Sequence, residues 1–290
     1  MFFVDTLKRV ARALLRRPSP SRDEDTKERA LAPPTPAPAK KPLAKKRQRA
    51  LLIGNNYPGS SCPLSGCVND VRDVRDFLTK VRGWAPADVE LKTEATRQEI
   101  VHGLYDLAIA SWTQGLDTVY IHYSGHGTQV TDANGDEGDG LDEALCPVDY
   151  ETAGVVTDDF LNRVIGSSFN PRTTVRAVFD ACHSGSCLDL PYTCEGGGAK
   201  MQVDPRALRV AGDVQLLSGC RDAQTSADAA YGGRPAGALT NSLLRVLRAN
   251  PRATSLQVVD GVHAMLAAED ASQFPLLTGS REPAADAFIP

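Results

Sequence analysis

The chain has 290 residues, of which 42% are hydrophobic and 23% charged, so it can bury a sizeable core and is not disordered throughout. Its formal net charge of −4 conceals an asymmetry: residues 1–50 carry 14 Lys/Arg and 5 Asp/Glu, whereas residues 51–290 carry 18 Lys/Arg and 31 Asp/Glu. An acidic body is not expected to bind a nucleic-acid backbone, and it favours cationic partners.

The seven cysteines are an odd number spread over a large chain, without a CxxC pair. Reduced intracellular thiols fit this pattern better than a disulfide framework, and a structural zinc site is not expected. No segment approaches the roughly 18 apolar residues of a membrane span. Lys8, Arg9 and Arg12 interrupt the N-terminal apolar residues before a secretory signal develops. The cytoplasm is therefore the expected location.

The N-terminal segment differs in composition from the rest of the chain. Residues 1–17 place apolar and basic side chains at helical spacing, which indicates a frayed basic tail, an amphipathic helix that makes peripheral membrane contact, or an organelle-targeting peptide. Residues 18–43 hold seven of the nineteen prolines and should form an extended linker. The sequence thus predicts a largely disordered, basic and Pro-rich segment over 1–47, followed by a folded domain over 48–290.

From residue 50 onwards, strand patterns alternate with helix patterns. The predicted strands lie at 50–53, 89–91, 118–123, 174–179, 214–217 and 275–277. The predicted helices lie at 68–81, 96–112, 158–165, 237–249 and 255–267. Thr96 and Glu99 form a capping box that opens the second of these helices. This alternation predicts an α/β fold with a mostly parallel central sheet flanked by helices on both faces.

Two of the predicted strands end in segments that carry reactive side chains. The strand at 118–123 runs into Ser124-Gly125-His126-Gly127, and the strand at 174–179 runs into Asp180-Ala181-Cys182. Functional sites in such sheets form at the carboxyl ends of strands, so the thiol and the imidazole face each other if these strands are neighbours. A histidine activates a nearby cysteine as a nucleophile, and the backbone N–H groups of Gly127 and Cys182 are candidate oxyanion donors.

These two segments resemble the catalytic signatures of the metacaspases, the caspase-like cysteine peptidases of plants, fungi, protists and bacteria. The resemblance covers residues 48–281 and includes several further motifs: Ala50-Leu51-Leu52-Ile53-Gly54, Gly66-Cys67-Val68-Asn69-Asp70, Cys146-Pro147-Val148-Asp149-Tyr150, Leu188-Asp189-Leu190-Pro191-Tyr192, Ser218-Gly219-Cys220 and Gln224-Thr225-Ser226-Ala227-Asp228. The Pro-rich N-terminal segment, with no long insertion later in the chain, resembles type I of this family.

The resemblance implies a caspase-like fold with a large-subunit-like region at about 48–195 and a small-subunit-like region at about 210–290. It implies that His126 acts as the base and Cys182 as the nucleophile. It also implies a monomer, in contrast to the dimeric caspases. A zymogen that processes itself is expected as well, by cleavage in the N-terminal linker after Lys46 or Arg47, or in the glycine-rich loop after Lys200.

The strands also carry information about the substrate residue P1, whose carbonyl group is attacked. Side chains two apart point the same way, so Asp180 lies beside Cys182 and Ser124 beside His126. A carboxylate next to the nucleophile opposes thiolate formation unless a cation intervenes, and Arg or Lys at P1 supplies that cation. In metacaspases a basic P1 side chain is bound by residues that match Asp70, Ser124 and Asp180. For Asp70, a solvated carboxylate at a helix start is the alternative.

Acidic residues between 132 and 189 suggest a metal ion. Asp132 to Glu143 has EF-hand-like spacing, but Glu137 stands where Gly is normally required and no helix precedes the loop. An acidic surface loop is therefore the favoured interpretation of that stretch. The resemblance implies a different site, because the Ca²⁺ ligands of calcium-activated metacaspases match four aspartates here: Asp142, Asp158, Asp159 and Asp189. Carboxylate oxygens suit Ca²⁺, and for Asp158 alone a helix N-cap after Thr157 is the alternative.

We therefore expect a calcium-activated cysteine endopeptidase that cleaves protein and peptide substrates after Arg or Lys through an acyl-enzyme. Calcium is expected to order the loops after Cys182. One rival is a non-catalytic scaffold that keeps the fold and docks through its tail, and the retention of both His126 and Cys182 argues against it. A second rival is a caspase-fold peptidase with acidic P1 specificity, and Asp180 argues against that.

Overall fold

The structure, a computed structural model, describes the chain from Lys46 onwards with several gaps. The described residues are 46–132, 140–182, 184, 187–196, 198, 200–204, 207, 210–219, 228–231 (backbone), 233–269 and 274–290. The basic N-terminal segment 1–17, the Pro-rich linker, most of the EF-hand-like loop, Cys220 and the motif at 224–227 lie outside these residues. Arg47–Pro290 forms one compact unit, distinct from Met1–Lys46.

Within these described residues, the β-strands form a central eight-stranded sheet and two smaller sheets. The strands are β1 (Gln48–Gly54), β2 (Val89–Thr93), β3 (Thr118–Ser124), β4 (Gly127–Thr131), β5 (Leu141–Leu145), β6 (Val156–Thr157), β7 (Thr174–Asp180), β8 (Tyr192–Cys194), β9 (Gln202–Val203), β10 (Asp213–Ser218), β11 (Asp228–Tyr231), β12 (Arg234–Gly237) and β13 (Leu276–Gly279). The central sheet has the order β2-β1-β3-β7-β10-β13-β8-β9. Strands β1, β2, β3, β7 and β10 are parallel, and β13, β8 and β9 continue the sheet in antiparallel pairing.

All five predicted helices are present in the described part of the chain, together with one short helix at Tyr150–Ala153 that the sequence patterns missed. The helices are α1 (Cys67–Asp76), α2 (Arg97–Thr113), α3 (Tyr150–Ala153), α4 (Asp158–Leu161), α5 (Ala238–Ala249) and α6 (Ser255–Ala268). Helix α1 continues as a π-helical turn over Phe77–Val81, and α4 continues as another over Asn162–Gly166. The predicted capping box opens α2, with both reciprocal hydrogen bonds between Thr96 and Glu99 formed. None of the helices in the described part of the chain has the length and apolarity to cross a bilayer.

The two faces of the central sheet pack into separate hydrophobic clusters. Leu51 and Ile53 of β1 belong to the cluster that α2 and the turn after α4 cover. Ala50 and Leu52 belong to the cluster that α1, α5 and α6 cover. This alternation follows from the two-residue period of a strand, and it shows a sheet buried on both faces. The predicted α/β architecture, a mostly parallel central sheet flanked by helices on both faces, is confirmed.

Sequence patterns missed the two smaller sheets, β4-β5-β6 and β11-β12, and the pair β8-β9. Strand β5 explains why, because its sequence Leu-Asp-Glu-Ala-Leu buries Asp142 and Glu143 at 3% and 2% exposure. Buried carboxylates contradict the apolar pattern that marks a core strand. The acidic stretch predicted as a surface loop therefore ends in a buried strand.

Candidate active site

The reactive segments lie on neighbouring strands. Strands β3 and β7 pair in parallel, with Ser124 opposite Asp180, so both end at the same level of the sheet. His126 and Cys182 each follow two residues later, and both are half-buried. A methyl group placed on Gly127 would overlap the carbonyl oxygen of Cys182. The segment that carries the imidazole and the segment that carries the thiol are thus packed directly against each other.

The imidazole of His126 is held in one tautomer. Its Nε2 atom lies 2.7 Å from the carbonyl oxygen of Cys62. A carbonyl oxygen only accepts hydrogen bonds, so Nε2 carries the proton and donates it. In a neutral imidazole the other nitrogen, Nδ1, is then the acceptor. The loop at Cys62 therefore prepares Nδ1 to take up a proton.

Two buried phenols hold the main chain of His126. The hydroxyl groups of Tyr57 and Tyr123 lie 2.9 Å apart, and both lie within hydrogen-bond distance of the Cys146 carbonyl oxygen, at 2.6 and 2.7 Å. The N–H of His126 donates to the Tyr57 hydroxyl at 2.9 Å, and the Tyr123 hydroxyl lies 2.9 Å from the His126 carbonyl oxygen. The Tyr57 ring also packs against the imidazole, with centroids 4.6 Å apart. Burial raises the pKa of both phenols, so they stay protonated donors.

The position of Tyr57 depends on a strained turn. Tyr57 and Glu94 both have a φ of 53°, a left-handed conformation that side chains rarely adopt. The Glu94 carboxylate accepts hydrogen bonds from the backbone N–H groups of Asn56, at 3.0 and 3.1 Å, and of Tyr57, at 3.0 Å. Tyr57 also lines a cleft of about 580 Å³ whose charged lining residues are Glu94, Asp149 and Glu151.

The three residues predicted to bind a basic P1 side chain come together at the end of β3 and β7. Ser124 Oγ donates to Asp70 Oδ2 at 2.7 Å, and the Gly237 N–H donates to the same carboxylate at 3.0 and 3.1 Å. Asp180 Oδ2 accepts from the N–H and the hydroxyl of Thr240 at 2.9 and 2.8 Å. A methyl group on Gly237 would lie 2.9 Å from Asp70 Oδ2 and would overlap Asp180 Oδ2. We call the group formed by Asp70, Ser124, Asp180, Gly237 and Thr240 the acidic pocket.

Both carboxylates of the acidic pocket are buried, with Asp70 1% and Asp180 3% exposed. The alternative of a solvated carboxylate for Asp70 is therefore wrong. Helix α5 begins next to Gly237, and no side chain of its own caps it. Its first N–H groups instead donate to Asp70 and Asp180, and the positive end of the helix dipole stabilises their negative charge.

The four aspartates predicted as calcium ligands are only partly assembled. Asp158 is 2% exposed, and its carboxylate accepts hydrogen bonds from the N–H groups of Glu143 and Asp159, each at 2.6 Å. Burial, with repulsion from Asp142 and Glu143, raises the pKa of Asp158 to about 7. Asp189, the fourth predicted ligand, has a left-handed backbone conformation, with a φ of 44°. Within the part of the chain that the structure describes, no three His, Cys, Asp or Glu side chains form a group that could hold a metal ion. The oxygen donors suit calcium, but their arrangement is not a coordination shell.

We predict that Tyr57→Phe disturbs His126 without disrupting the fold, because it removes the hydroxyl group that accepts from the N–H of the half-buried His126. The rate at which Cys182 reacts with iodoacetamide at pH 7 should fall about five- to tenfold, since a displaced imidazole lowers the thiolate fraction. Mass spectrometry of the Cys182 peptide measures this rate separately from that of the exposed Cys62. Tyr105→Phe is the control, because Tyr105 is a half-buried tyrosine that packs on Phe160. Equal rates in both variants and wild type would contradict the role of Tyr57.

Comparison with known proteins gives the family. The sequence profile of the metacaspase peptidase C14 domain matches residues 48–191. Metacaspase-1A of Aspergillus terreus is 32% identical, over 81% of this chain and 70% of that protein. Metacaspase-1 of Mycosarcoma maydis is 33% identical, over 81% of this chain and 70% of that protein. Metacaspase-1 of Saccharomyces cerevisiae is 31% identical, over 81% of this chain and 66% of that protein.

A solved structure shares the fold. The crystal structure of protein GSU0716 from Geobacter sulfurreducens aligns with a TM-score of 0.57 and 26% identity, over 82% of this chain and 95% of that one. The sequence relatives confirm the family that the motifs around His126 and Cys182 predicted. An α/β sheet covered on both faces, with these two residues at neighbouring strand ends, agrees with a caspase-like peptidase. The chain therefore belongs to the metacaspases, the cysteine endopeptidases of peptidase family C14.

Proposed function

We propose that this chain cleaves peptide bonds after Arg or Lys, with Cys182 as the nucleophile and His126 as the base. The observation that carries the proposal is the acidic pocket. It lies at the ends of the two strands that lead to the dyad. One of its carboxylates, Asp180 on β7, stands two residues before the nucleophile, and the other, Asp70, lies on the facing helix α1.

The geometry of His126 supports a mechanism by proton transfer through Nδ1. Because Nε2 donates to the Cys62 carbonyl, Nδ1 accepts the thiol proton, and the Cys182 thiolate attacks the scissile carbonyl carbon. Backbone N–H groups of Gly127 and Cys182 are the candidate donors to the resulting oxyanion. His126 then passes the proton to the leaving amine. A water molecule that loses its proton to His126 hydrolyses the acyl-enzyme and restores the thiol.

The charge of the acidic pocket supports a basic P1 residue. Two buried carboxylates repel each other, and a guanidinium or ammonium group between them relieves that repulsion. Charge-assisted hydrogen bonds of this kind are roughly twice as strong as neutral ones. An acidic P1 side chain would add a third negative charge. The pocket therefore favours Arg and Lys and disfavours Asp.

We predict that fluorogenic peptides ending in Arg or Lys are cleaved with a kcat/KM at least about 100-fold above that of a peptide ending in Asp, because the difference between attraction and repulsion exceeds about 2.7 kcal/mol. Cys182→Ala should abolish turnover. Cys194→Ala is the matched control, since Cys194 is a buried cysteine on β8.

Two outcomes contradict parts of this proposal. Faster turnover of the Asp peptide would support the caspase-fold peptidase with acidic specificity. A wild-type protein that cleaves no peptide in the presence of calcium would support the non-catalytic scaffold.

We also propose that calcium activates the enzyme through Asp142, Asp158, Asp159 and Asp189. Burial, with the repulsion from the neighbouring Asp142 and Glu143, raises the pKa of Asp158 to about 7. This supports the proposal, because a divalent cation would relieve that repulsion. Binding would require these four carboxylates to rearrange, since they do not form a coordination shell among the described residues of this structure.

We predict that wild-type activity is lost in excess chelator and restored by millimolar calcium. Asp158→Asn should raise the calcium concentration for half-maximal activity at least about tenfold, because ligand charge sets affinity at such sites. Asp106→Asn, a change at an exposed aspartate of α2, is the control and should leave it unchanged. In the inactive Cys182→Ala protein, calcium should raise the melting temperature, which reports binding without activity. Equal wild-type activity with chelator and with calcium would remove this proposal.

Self-processing is a further part of the proposed function. Lys46 and Lys200 are exposed and lie outside regular structure, whereas Arg47 is tied into the fold. The carbonyl oxygen of the Arg47–Gln48 peptide bond accepts hydrogen bonds from the N–H groups of Asp117 and Thr118, at 2.7 and 3.3 Å. We therefore favour cleavage after Lys46 or Lys200 over cleavage after Arg47.

Intact-mass measurement on purified wild type should show fragments that end at Lys46 or Lys200, and Cys182→Ala should show none. The same fragments in Cys182→Ala would indicate a contaminating protease. The monomeric state, the cytoplasmic location and membrane contact through residues 1–17 stay predictions.

A further inference from the structure

A buried histidine that the dyad does not use lies behind the acidic pocket. His122 stands on β3, two residues before Ser124, and is fully buried. Its Nε2 lies 3.3 Å from the Thr240 hydroxyl, which in turn lies 2.8 Å from Asp180 Oδ2. Its Nδ1 lies 3.5 Å from the Tyr120 hydroxyl. A chain of polar groups thus links β3, helix α5 and β7 beneath the pocket.

The directions of the hydrogen bonds in this chain are fixed. An ionised carboxylate only accepts, so the single proton of the Thr240 hydroxyl goes to Asp180. The Thr240 oxygen then accepts from His122 Nε2, which must carry a proton. Nδ1 of a neutral imidazole is the remaining acceptor, and the Tyr120 hydroxyl donates to it. Burial raises the pKa of Tyr120, so this phenol keeps its proton.

His122 contributes no positive charge to the pocket. Burial lowers its pKa to about 3, so it is neutral at any pH at which the enzyme is expected to work. A protonated histidine behind Asp180 would cancel part of the negative charge that attracts a basic side chain. A neutral histidine directs the Thr240 hydroxyl toward Asp180 and leaves the carboxylate charge for the substrate.

We propose that Thr240 and His122 are positioning residues for the P1 side chain: Thr240 fixes the Asp180 carboxylate, and His122 fixes the direction of the Thr240 hydroxyl. This inference rests on the proposed cleavage after Arg or Lys. Recognition of a planar guanidinium by a carboxylate depends on the orientation of both groups. Thr240 donates both of its hydrogen bonds to Asp180 Oδ2. The other carboxylate oxygen, Oδ1, lies near Gly219, where a methyl group would be 3.5 Å away from it.

Thr240→Val tests the first step, because valine keeps the shape and the backbone N–H but lacks the hydroxyl. The kcat/KM for a peptide ending in Arg should fall about tenfold, since a hydrogen bond to a charged group is lost, and the loss should lie mainly in KM. The kcat/KM for a peptide ending in citrulline, a neutral analogue of Arg, should fall by a smaller factor, so that the Arg/citrulline ratio decreases. The iodoacetamide rate of Cys182 should stay within about twofold of wild type. Thr240→Ser, which restores the hydroxyl, should stay within about twofold of wild type.

The matched control for this substitution is Thr278→Val on β13. Thr278 is 4% exposed, and its hydroxyl has no hydrogen-bond partner among the described residues. The Thr278→Val variant therefore loses a threonine hydroxyl outside the acidic pocket. The ratio of its kcat/KM values for the Arg and citrulline peptides should equal that of wild type. If Thr240→Val does not give a folded protein by thermal unfolding, Thr240→Ala replaces it with the same expectation.

His122→Leu tests the second step. It should lower kcat/KM for the Arg peptide as Thr240→Val does, and the double variant should lose no more than either single one, because His122 acts through Thr240. An unchanged kcat/KM for Arg in Thr240→Val, or an equal loss for Arg and citrulline, would overturn the inference, and additive losses would overturn the role of His122. A wild-type enzyme that does not prefer Arg to citrulline refutes the proposed specificity instead, and this ratio is measured first.

Discussion

The hydrogen bonds between two buried carboxylates and the N-terminus of one helix join the two halves of this metacaspase. Asp70 on α1 and Asp180 on β7 belong to the first half, whereas Gly237 and Thr240 at the start of α5 belong to the second. Without the helix, two close carboxylates would repel each other in a medium of low polarity, and without the carboxylates the first N–H groups of α5 would be buried and unsatisfied. The first half therefore supplies the acceptors and the second half the donors of these hydrogen bonds, and the acidic pocket forms when the two halves pack together.

Much of this arrangement follows from local sequence rules. The strand and helix patterns gave the sheet and its two helical layers, because apolar side chains at a period of two or 3.6 residues report which face is buried. The same period placed Ser124 and Asp180 on the side of their strands that faces α1, and the shared register of β3 and β7 brought them level with each other. Asp70 required the family resemblance, since nothing in a helix start distinguishes a buried carboxylate from a solvated one.

The groups that sequence reasoning missed act across long stretches of chain. Tyr57 reaches His126 through a turn that Glu94 holds, and Thr240 reaches Asp180 from the far half of the molecule. Neither tyrosine nor threonine carries a pattern that distinguishes a partner of the active site from an ordinary core residue. Strand β5 was missed for the opposite reason, because its buried Asp142 and Glu143 look like surface residues. Such contacts are decided by tertiary packing, which a one-dimensional pattern does not contain.

The hydrogen bond from His126 to the Cys62 carbonyl has a consequence for how the candidate active site can vary. Catalytic histidines are commonly oriented by an acidic side chain, which a single exchange can remove. Here the orienting atom is a backbone carbonyl oxygen, so the side chain of Cys62 can be replaced without losing this acceptor. A change in the path of the loop that contains Cys62 would remove it. The tautomer of His126 therefore depends on the backbone conformation of this loop, which includes the left-handed turn at Tyr57 that the Glu94 carboxylate holds. A sequence comparison restricted to His126 and Cys182 would not detect a change in that conformation.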